Sequence, residues 1–247
     1  MIILKKTITR LLELLGYRIY SIRIESNAEY FSFIKFLNYY LEKHNPLNLI
    51  QIGANDGITF DPVHNFIIQN QEKVKAILVE PIEYSYNKLR ENYKEYSNVI
   101  TENIAIHKEK KEMTMYLVNP EKLAKIPKWA GGTASFNLEH HKLSKIPSEF
   151  IIEKKVSCIT LNELLKKHDI QQLDILQIDT EGYDYDIIKS INFNVIKPSI
   201  IRFEHGYMDN IMTKEKIIEI LDILNKNGYQ IIMESYDATA YLPFKII

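Results

Sequence analysis

Hydrophobic positions along the chain switch repeatedly between a two-residue and a three-to-four-residue period. Ile3, Leu4, Ile8, Leu11, Leu12 and Leu15 recur at helical spacing and predict an amphipathic helix at the start of the sequence. Ser26 and Glu29 form a capping-box pattern ahead of Tyr30, Phe33, Ile34, Leu37 and Leu41, so a second helix is expected to run to about His44. Beyond it, short aliphatic and β-branched runs alternate with helical ones. Strands are expected at 47–52, 75–79, 99–101, 173–178 and 199–203, with two more at 229–234 and 240–246. Helices are expected at 61–71, 81–96, behind a Thr160/Glu163 cap, at 185–192 and at 214–227, the last ended by Gly228. This alternation predicts an α/β fold, a doubly wound and mostly parallel sheet. It places one such domain at 46–247 behind a helical extension at 1–45.

Residues 119–150 break the rhythm. Pro120, Pro127 and Pro147 punctuate them, "WAGGTASFNLEHH" fills the middle, and strand-like "MTMYLV" and "KKVSCI" flank them. A connection this long inside a compact domain is commonly a binding loop. The single tryptophan, Trp129, beside Gly131-Gly132 makes it a substrate lid in this reading.

Composition narrows the class. The 247 residues with 46% hydrophobic content are enough for one full core. Basic and acidic residues number 31 and 32, net −1, so no basic excess argues for nucleic acid. One cysteine, Cys158, excludes an internal disulfide and a thiolate metal site and fits a reducing, cytoplasmic setting. No run approaches the ~20 apolar residues of a membrane span. The N-terminal helix is expected to pack on the domain or on a second copy of the chain, as a homodimer would use it; peripheral contact with a membrane is its other use.

The chemistry lies at the strand ends, where open parallel sheets bind ligands. The runs end in Gly53-Ala54-Asn55-Asp56-Gly57, Glu80-Pro81, Glu102-Asn103-Ile104-Ala105, Asp179-Thr180-Glu181-Gly182 and Glu204-His205-Gly206. These suit S-adenosylmethionine. A glycine turn admits backbone amides to its amino-acid end, a carboxylate at Glu80 can accept both ribose hydroxyls, Asn103 and nearby backbone can read adenine, and Asp179 would stand near the sulfonium. A dinucleotide site would need a third glycine in register with Gly53 and Gly57, and a phosphate loop would need Gly-Lys-Ser/Thr; both patterns are missing. Nicotinamide-dependent oxidation and a non-catalytic scaffold with a degenerate pocket are the two alternatives.

"IGANDG", "VEP", "TASF", "LQIDTEGYDYDIIKSI" and "PSIIRFEH", spread over 47–205, together resemble the FkbM family of S-adenosylmethionine-dependent methyltransferases. The resemblance implies a Rossmann-like, seven-stranded class I methyltransferase sheet and O-methylation, commonly of sugar hydroxyls in glycans, polysaccharides or glycosylated natural products. By position it implies cofactor contacts at Gly53, Ala54, Asn55, Asp56, Gly57, Glu80, Pro81, Asn103, Ala105 and Asp179. Gln51 stands where the family often has an acidic residue, and Ala134-Ser135 where it has tandem serines. A hydroxyl acceptor needs a base, and His205, Asp179 and Glu181 are the candidates, with His205 slightly preferred for its ordinary pKa near 6.5. Trp129, Ser135, His140 and Glu204 are expected to face the substrate. Carboxylates and a histidine at the rim could also hold Mg²⁺; the reading kept is metal-free.

Overall fold

In the computed structural model, residues 31–243 are described. The expected N-terminal helix, the Ser26/Glu29 cap and the last residues of the final strand lie outside them. The chain divides into two units, Met1–Ser32 and Phe33–Ile247. The second therefore begins at Phe33 and includes a helix that the sequence assigned to the extension. This helix, α1 (Phe33–Lys43), buries Phe33, Leu37, Tyr40 and Leu41 along one stripe.

The apolar runs become strands because both sheet faces are covered, so nearly every position must be buried. β1 (Leu47–Ile52), β2 (Val74–Val79), β7 (Ile175–Ile178) and β8 (Ile200–Glu204) show this pattern. With β3 (Val99–Glu102), β9 (Gln230–Met233) and β10 (Asp237–Tyr241) they form a seven-stranded sheet, ordered β3-β2-β1-β7-β8-β10-β9. All neighbours are parallel except those of β10, which is antiparallel to β8 and β9. This is the Rossmann-like class I methyltransferase sheet. Strand order reverses between β1 and β7, which makes their carboxyl ends the switch point. Helices α2 (His64–Gln69), α3 (Glu83–Tyr93), α5 (Leu161–Lys167), α6 (Asp184–Ser190) and α7 (Lys214–Lys226) are the crossovers. Ile50, Ile52, Val79, Leu176, Ile178, Ile201 and Phe203 form the main core on one face.

Local chemistry sets several boundaries. Thr160 and Glu163 make both bonds of a capping box at α5. α3 starts at Glu83, later than the expected Pro81, because the Glu80 carboxylate takes the Ile82 amide and holds 80–82 extended. α2 starts at His64 because Asp61 accepts the Val63 and His64 amides from outside the helix.

The flanking runs pair with each other. β5 (Glu112–Val118) and β6 (Ile151–Ile159) are antiparallel neighbours, and β4 (Ala105–Ile106) joins β6 in a three-stranded second sheet. The segment between β5 and β6 holds 3₁₀ turns at Pro120–Lys125, Lys128–Gly132 and Ser148–Phe150 and the short α4 (His140–Leu143). It has its own small core of Val118, Ala130 and Ile146, and Ser135 bridges to Tyr116 of β5. No described helix is long and apolar enough to cross a membrane.

Candidate active site

β1 reaches its carboxyl end between two neighbours, and the turn that follows must pass through space already taken. Gly53 has φ +85°, and a Cβ there would sit 1.7 Å from the Asp179 carbonyl oxygen. Only glycine lets β1 and β7 come this close while the chain turns outward. The Gly53 and Ala54 amides both donate to the Val79 carbonyl, which draws the turn toward β2. Asn55 follows at φ +47°, a conformation asparagine tolerates.

This turn delivers the Asn55 amide to Glu80. Glu80 Oε2 accepts from Asn55 N at 2.9 Å, and Oε1 accepts from Ile82 N at 2.8 Å. Each oxygen keeps a second lone pair, so the carboxylate can still accept two hydroxyl donors. Burial pushes its pKa up to about 7, against the pull of the Ile82 and Asn55 amides and with a further push from Asp56.

The loops after β1, β2, β3 and β7 meet around one cavity of about 270 Å³, near the lower end of the roughly 300–1,000 Å³ range of small-molecule sites. Gly53, Ala54, Asn55, Glu80, Pro81, Ala105, Asp179 and Glu181 line it, and from the lid so does Trp129. Its wall is apolar toward Ile82, Ala105, Met115 and Leu117, with Phe136 packed beside them, and acidic toward Asp61, Asp179 and Glu181. The 119–150 segment lies directly over the β1 turn: a Cβ on Gly132 would lie 3.0 Å from Asn55 Nδ2.

Asp179 is exposed to the cavity, and its backbone amide donates to Ile52. Its carboxyl is pushed well above the usual range by the protein packed around it and by Glu181, Asp184, Asp237 and Asp61. Behind it Asp184 ties two strand ends together, accepting from the Thr180 amide and hydroxyl and from the Glu204 amide. Burial raises Asp184 to about 6. Glu204 has one carboxyl oxygen buried without a partner, and burial next to Asp179, Glu181, Asp184 and Asp237 raises it to about 10. Arg202, the nearest basic residue in sequence, is committed to Glu234 and Asp237 instead.

Other expected residues are placed away from the cavity wall. The His205 ring is buried; Nδ1 accepts from the Tyr207 amide at 3.2 Å, which leaves Nε2 to donate to the Glu234 carbonyl at 3.3 Å. Both nitrogens are thus used by backbone, an arrangement that suits a structural turn and not the base expected there. Asn103 donates to the Glu80 and Pro81 carbonyls, so its amide braces the end of β2 in place of an adenine edge. Asp56 caps its own turn through Ile58 and Thr59. Gly57, at φ +73°, makes room for Leu89 and Tyr93 of α3. Ser135 Oγ donates to the Glu181 carbonyl at 2.8 Å, and His140 Nε2 lies 2.8 Å from its carboxylate. These two fasten the lid to the 179–182 turn and do not line the cavity. Sequence reading missed Asp61, Asp184 and, apart from Ala105, the apolar wall. Met115 and Leu117 carried a two-residue alternation that signals such a wall; Asp61 and Asp184 carried no local signal.

A family model, described as the methyltransferase FkbM domain, matches residues 51–231. The chain belongs to the FkbM methyltransferase family. It is an S-adenosylmethionine-dependent methyltransferase. Solved structures to which the chain is similar include a Streptococcus mutans protein described as a methyltransferase and solved with S-adenosylhomocysteine, at 8% identity and TM-score 0.45, covering 87% of this chain and 99% of that one. A Thermotoga maritima S-adenosylmethionine-dependent O-methyltransferase matches at 9% identity and TM-score 0.43, over 94% and 71%. A Geobacter metallireducens precorrin-6y C5,15-methyltransferase matches at 12% identity and TM-score 0.40, over 84% and 86%. No curated protein matches the methyltransferase in sequence. Among the described residues no group of three or more His, Cys, Asp and Glu is arranged to hold a metal ion.

The cofactor fits this donor set. Glu80 keeps free lone pairs for a diol, and the wall formed by Asp61, Asp179 and Glu181 suits a cation. The raised Glu80 pKa also has a consequence for the fold. A carboxyl whose folded pKa exceeds its unfolded value supplies stability at low pH that is lost as pH rises through the folded pKa. For Glu80 that window runs from 4.5 to about 7. Between about pH 5.5 and 7.5 the loss is about 2 kcal/mol, or roughly 4–8 °C in Tm. Ligand-free methyltransferase should therefore melt at a lower temperature at pH 7.5 than at 5.5 by calorimetry, and Glu80→Gln should shrink the difference.

Proposed function

We propose that this methyltransferase methylates a hydroxyl oxygen, most naturally of a carbohydrate or glycosylated small molecule. The observation that carries the reading is Asp179: a carboxyl lining the cavity, at the switch point, with its proton affinity raised by the protein packed around it and by neighbouring acids. A hydroxyl is a poor nucleophile until its proton is taken, and a carboxylate more basic than usual is suited to take it. Asp179 replaces His205 as the base in this reading. Glu181, fixed by His140, is placed to accept a second hydroxyl of the acceptor, and the half-exposed Trp129 offers a ring face for the apolar side of a sugar.

Bound S-adenosylmethionine supplies a methyl group already activated by a sulfonium. The residues of the chain have three tasks. Glu80 accepts the ribose hydroxyls and fixes the depth of the nucleoside. Ile82, Ala105, Met115 and Leu117 cover the adenine and exclude water. Asp179 and Glu181 orient the acceptor oxygen and receive its proton, so that the reacting atoms are held in line.

Two measurements test this. Calorimetry with S-adenosylhomocysteine should show binding that Glu80→Ala weakens by about 1–3 kcal/mol; undiminished affinity would remove Glu80 from the ribose. Transfer of labelled methyl should then be assayed on methyl glycosides, amines and thiols in parallel. Label on glycosides alone is the expected result, and label on amines or thiols alone would reject the hydroxyl reading.

A further inference from the structure

Asp61 is the cavity carboxylate to which neither composition nor motif drew attention, and its surroundings are unusual. It lies in the cavity wall with every hydrogen bond supplied by the loop and by β1. Oδ1 accepts from the Val63 and His64 amides at 2.7 and 3.0 Å, and Oδ2 accepts from Gln51 Nε2 at 3.1 Å. Gln51 is 3% exposed, so its amide cannot swing away. Its orientation is set as well: turned over, its carbonyl would face the Asp61 carboxylate, and Oε1 as placed has no partner at all. None of the lysine and arginine ion pairs among the described residues reaches Asp61. Three donors thus hold a carboxylate rigidly against a ligand space without neutralising it.

A carboxylate held this way gains most from a cation brought by the ligand. We propose that Asp61 binds the ammonium group at the amino-acid end of the cofactor, with Gln51 as the positioning residue that aims it. The inference rests on the S-adenosylmethionine site described above. It explains a departure in the sequence. An acid at position 51 would point from the penultimate position of a buried strand; here the charge sits ten residues later on the loop, and the strand contributes a neutral amide that anchors it. The segment also has the stiffness such a role needs, since Phe60 precedes Asp61 at φ +59°, a strained conformation for a bulky residue. Burial raises the Asp61 pKa against the pull of its three hydrogen bonds and of the neighbouring His64 ring.

The test compares two ligands on three proteins. S-adenosylhomocysteine carries the amino-acid tail; 5′-methylthioadenosine has the same nucleoside without it. Asp61→Asn keeps an oxygen for the Val63 and His64 amides while removing the charge, and buried Gln51 can turn its amide over to match. Calorimetry should show S-adenosylhomocysteine bound about 10–100-fold more weakly by this variant, with 5′-methylthioadenosine unchanged. Gln51→Leu should show the same selective loss, smaller in size. Glu80→Ala should weaken both ligands, since both carry the ribose. Equal loss of both ligands in Asp61→Asn would make Asp61 structural, and no loss would take it out of the site. Tighter S-adenosylhomocysteine binding would mean that Asp61 faces the tail carboxylate; this too overturns the proposal. If Asp61→Asn behaves as expected while Glu80→Ala does not, the ribose assignment fails alone. Wild-type protein that binds neither ligand would end both readings.

Discussion

Asp179→Asn is expected to give a protein that resists unfolding better than the wild type and turns over about 10²–10⁴-fold more slowly. The two effects have one cause. Asp179 is crowded by Glu181, Asp184, Asp237 and Asp61, and Glu204 in turn is raised by Asp179. Deleting one negative charge relieves the others, and asparagine preserves the shape. The stabilisation has a definite pH signature. A carboxyl with a raised folded pKa destabilises the native state only where the unfolded chain would release its proton, so the gain in Asp179→Asn begins above the ordinary 3.8 and grows with pH. At about pH 3 the two proteins should melt alike; near pH 8 the variant should melt higher. The activity loss should fall on kcat, measured as labelled methyl transfer to the best glycoside acceptor, because the missing group acts on the acceptor's proton. A variant that is stabilised and still fully active would show that Asp179 is only a repulsive neighbour, and Glu181 would become the base. This is the trade of stability for a reactive site seen when like charges are gathered for chemistry.

Gly53→Ala should be among the most damaging single substitutions in the chain. Its Cβ would lie 1.7 Å from the Asp179 carbonyl oxygen and 2.8 Å from the carbonyl carbon, and backbone in a central strand cannot step aside. A positive φ adds its own penalty for any residue with a Cβ. Forcing β1 and β7 apart and straining the turn together should cost about 3–5 kcal/mol, read as a lower urea midpoint at unchanged slope. What folded protein remains should bind S-adenosylhomocysteine poorly, because the same shift moves the Asn55 amide off Glu80. Gly57→Ala is the control: its Cβ would meet side-chain atoms of Leu89 and Tyr93, which can move, although Tyr93 is held by the Gly57 carbonyl and His64. Equal damage at both positions would mean that the β1–β7 approach is not what makes Gly53 special.

Gly53 and Asp179 both stand directly after strand-like runs in the sequence, and both line the cavity. A buried parallel strand must end in residues without bulk where the next strand crowds it, which is why "IGANDG" stands out in the sequence. Glu80 was readable because a carboxylate directly after "AILV" has no place in a core. The same logic over-reached where a residue type admits more than one use. Asn103 and Asp56 are both polar residues at strand ends, as expected, yet one braces backbone carbonyls and the other caps a turn. His205 sits at the expected strand end, but its ring is claimed by the Tyr207 amide of its own turn and by the Glu234 carbonyl between β9 and β10.

The order of apolar runs, their lengths and the small or acidic residues closing them determined the α/β sheet, its parallel direction and the edge on which the cavity opens, because those depend on periodicity and steric size along a few adjacent residues. Which side chains point into the cavity was decided only in three dimensions. Asp61, Asp184 and Gln51 acquire their roles from partners up to 20 residues away or on another strand, and Ser135 and His140 from a turn more than 40 residues distant. Hydrogen bonds of that range leave no trace in local pattern; they exist only once the sheet has brought its loops together.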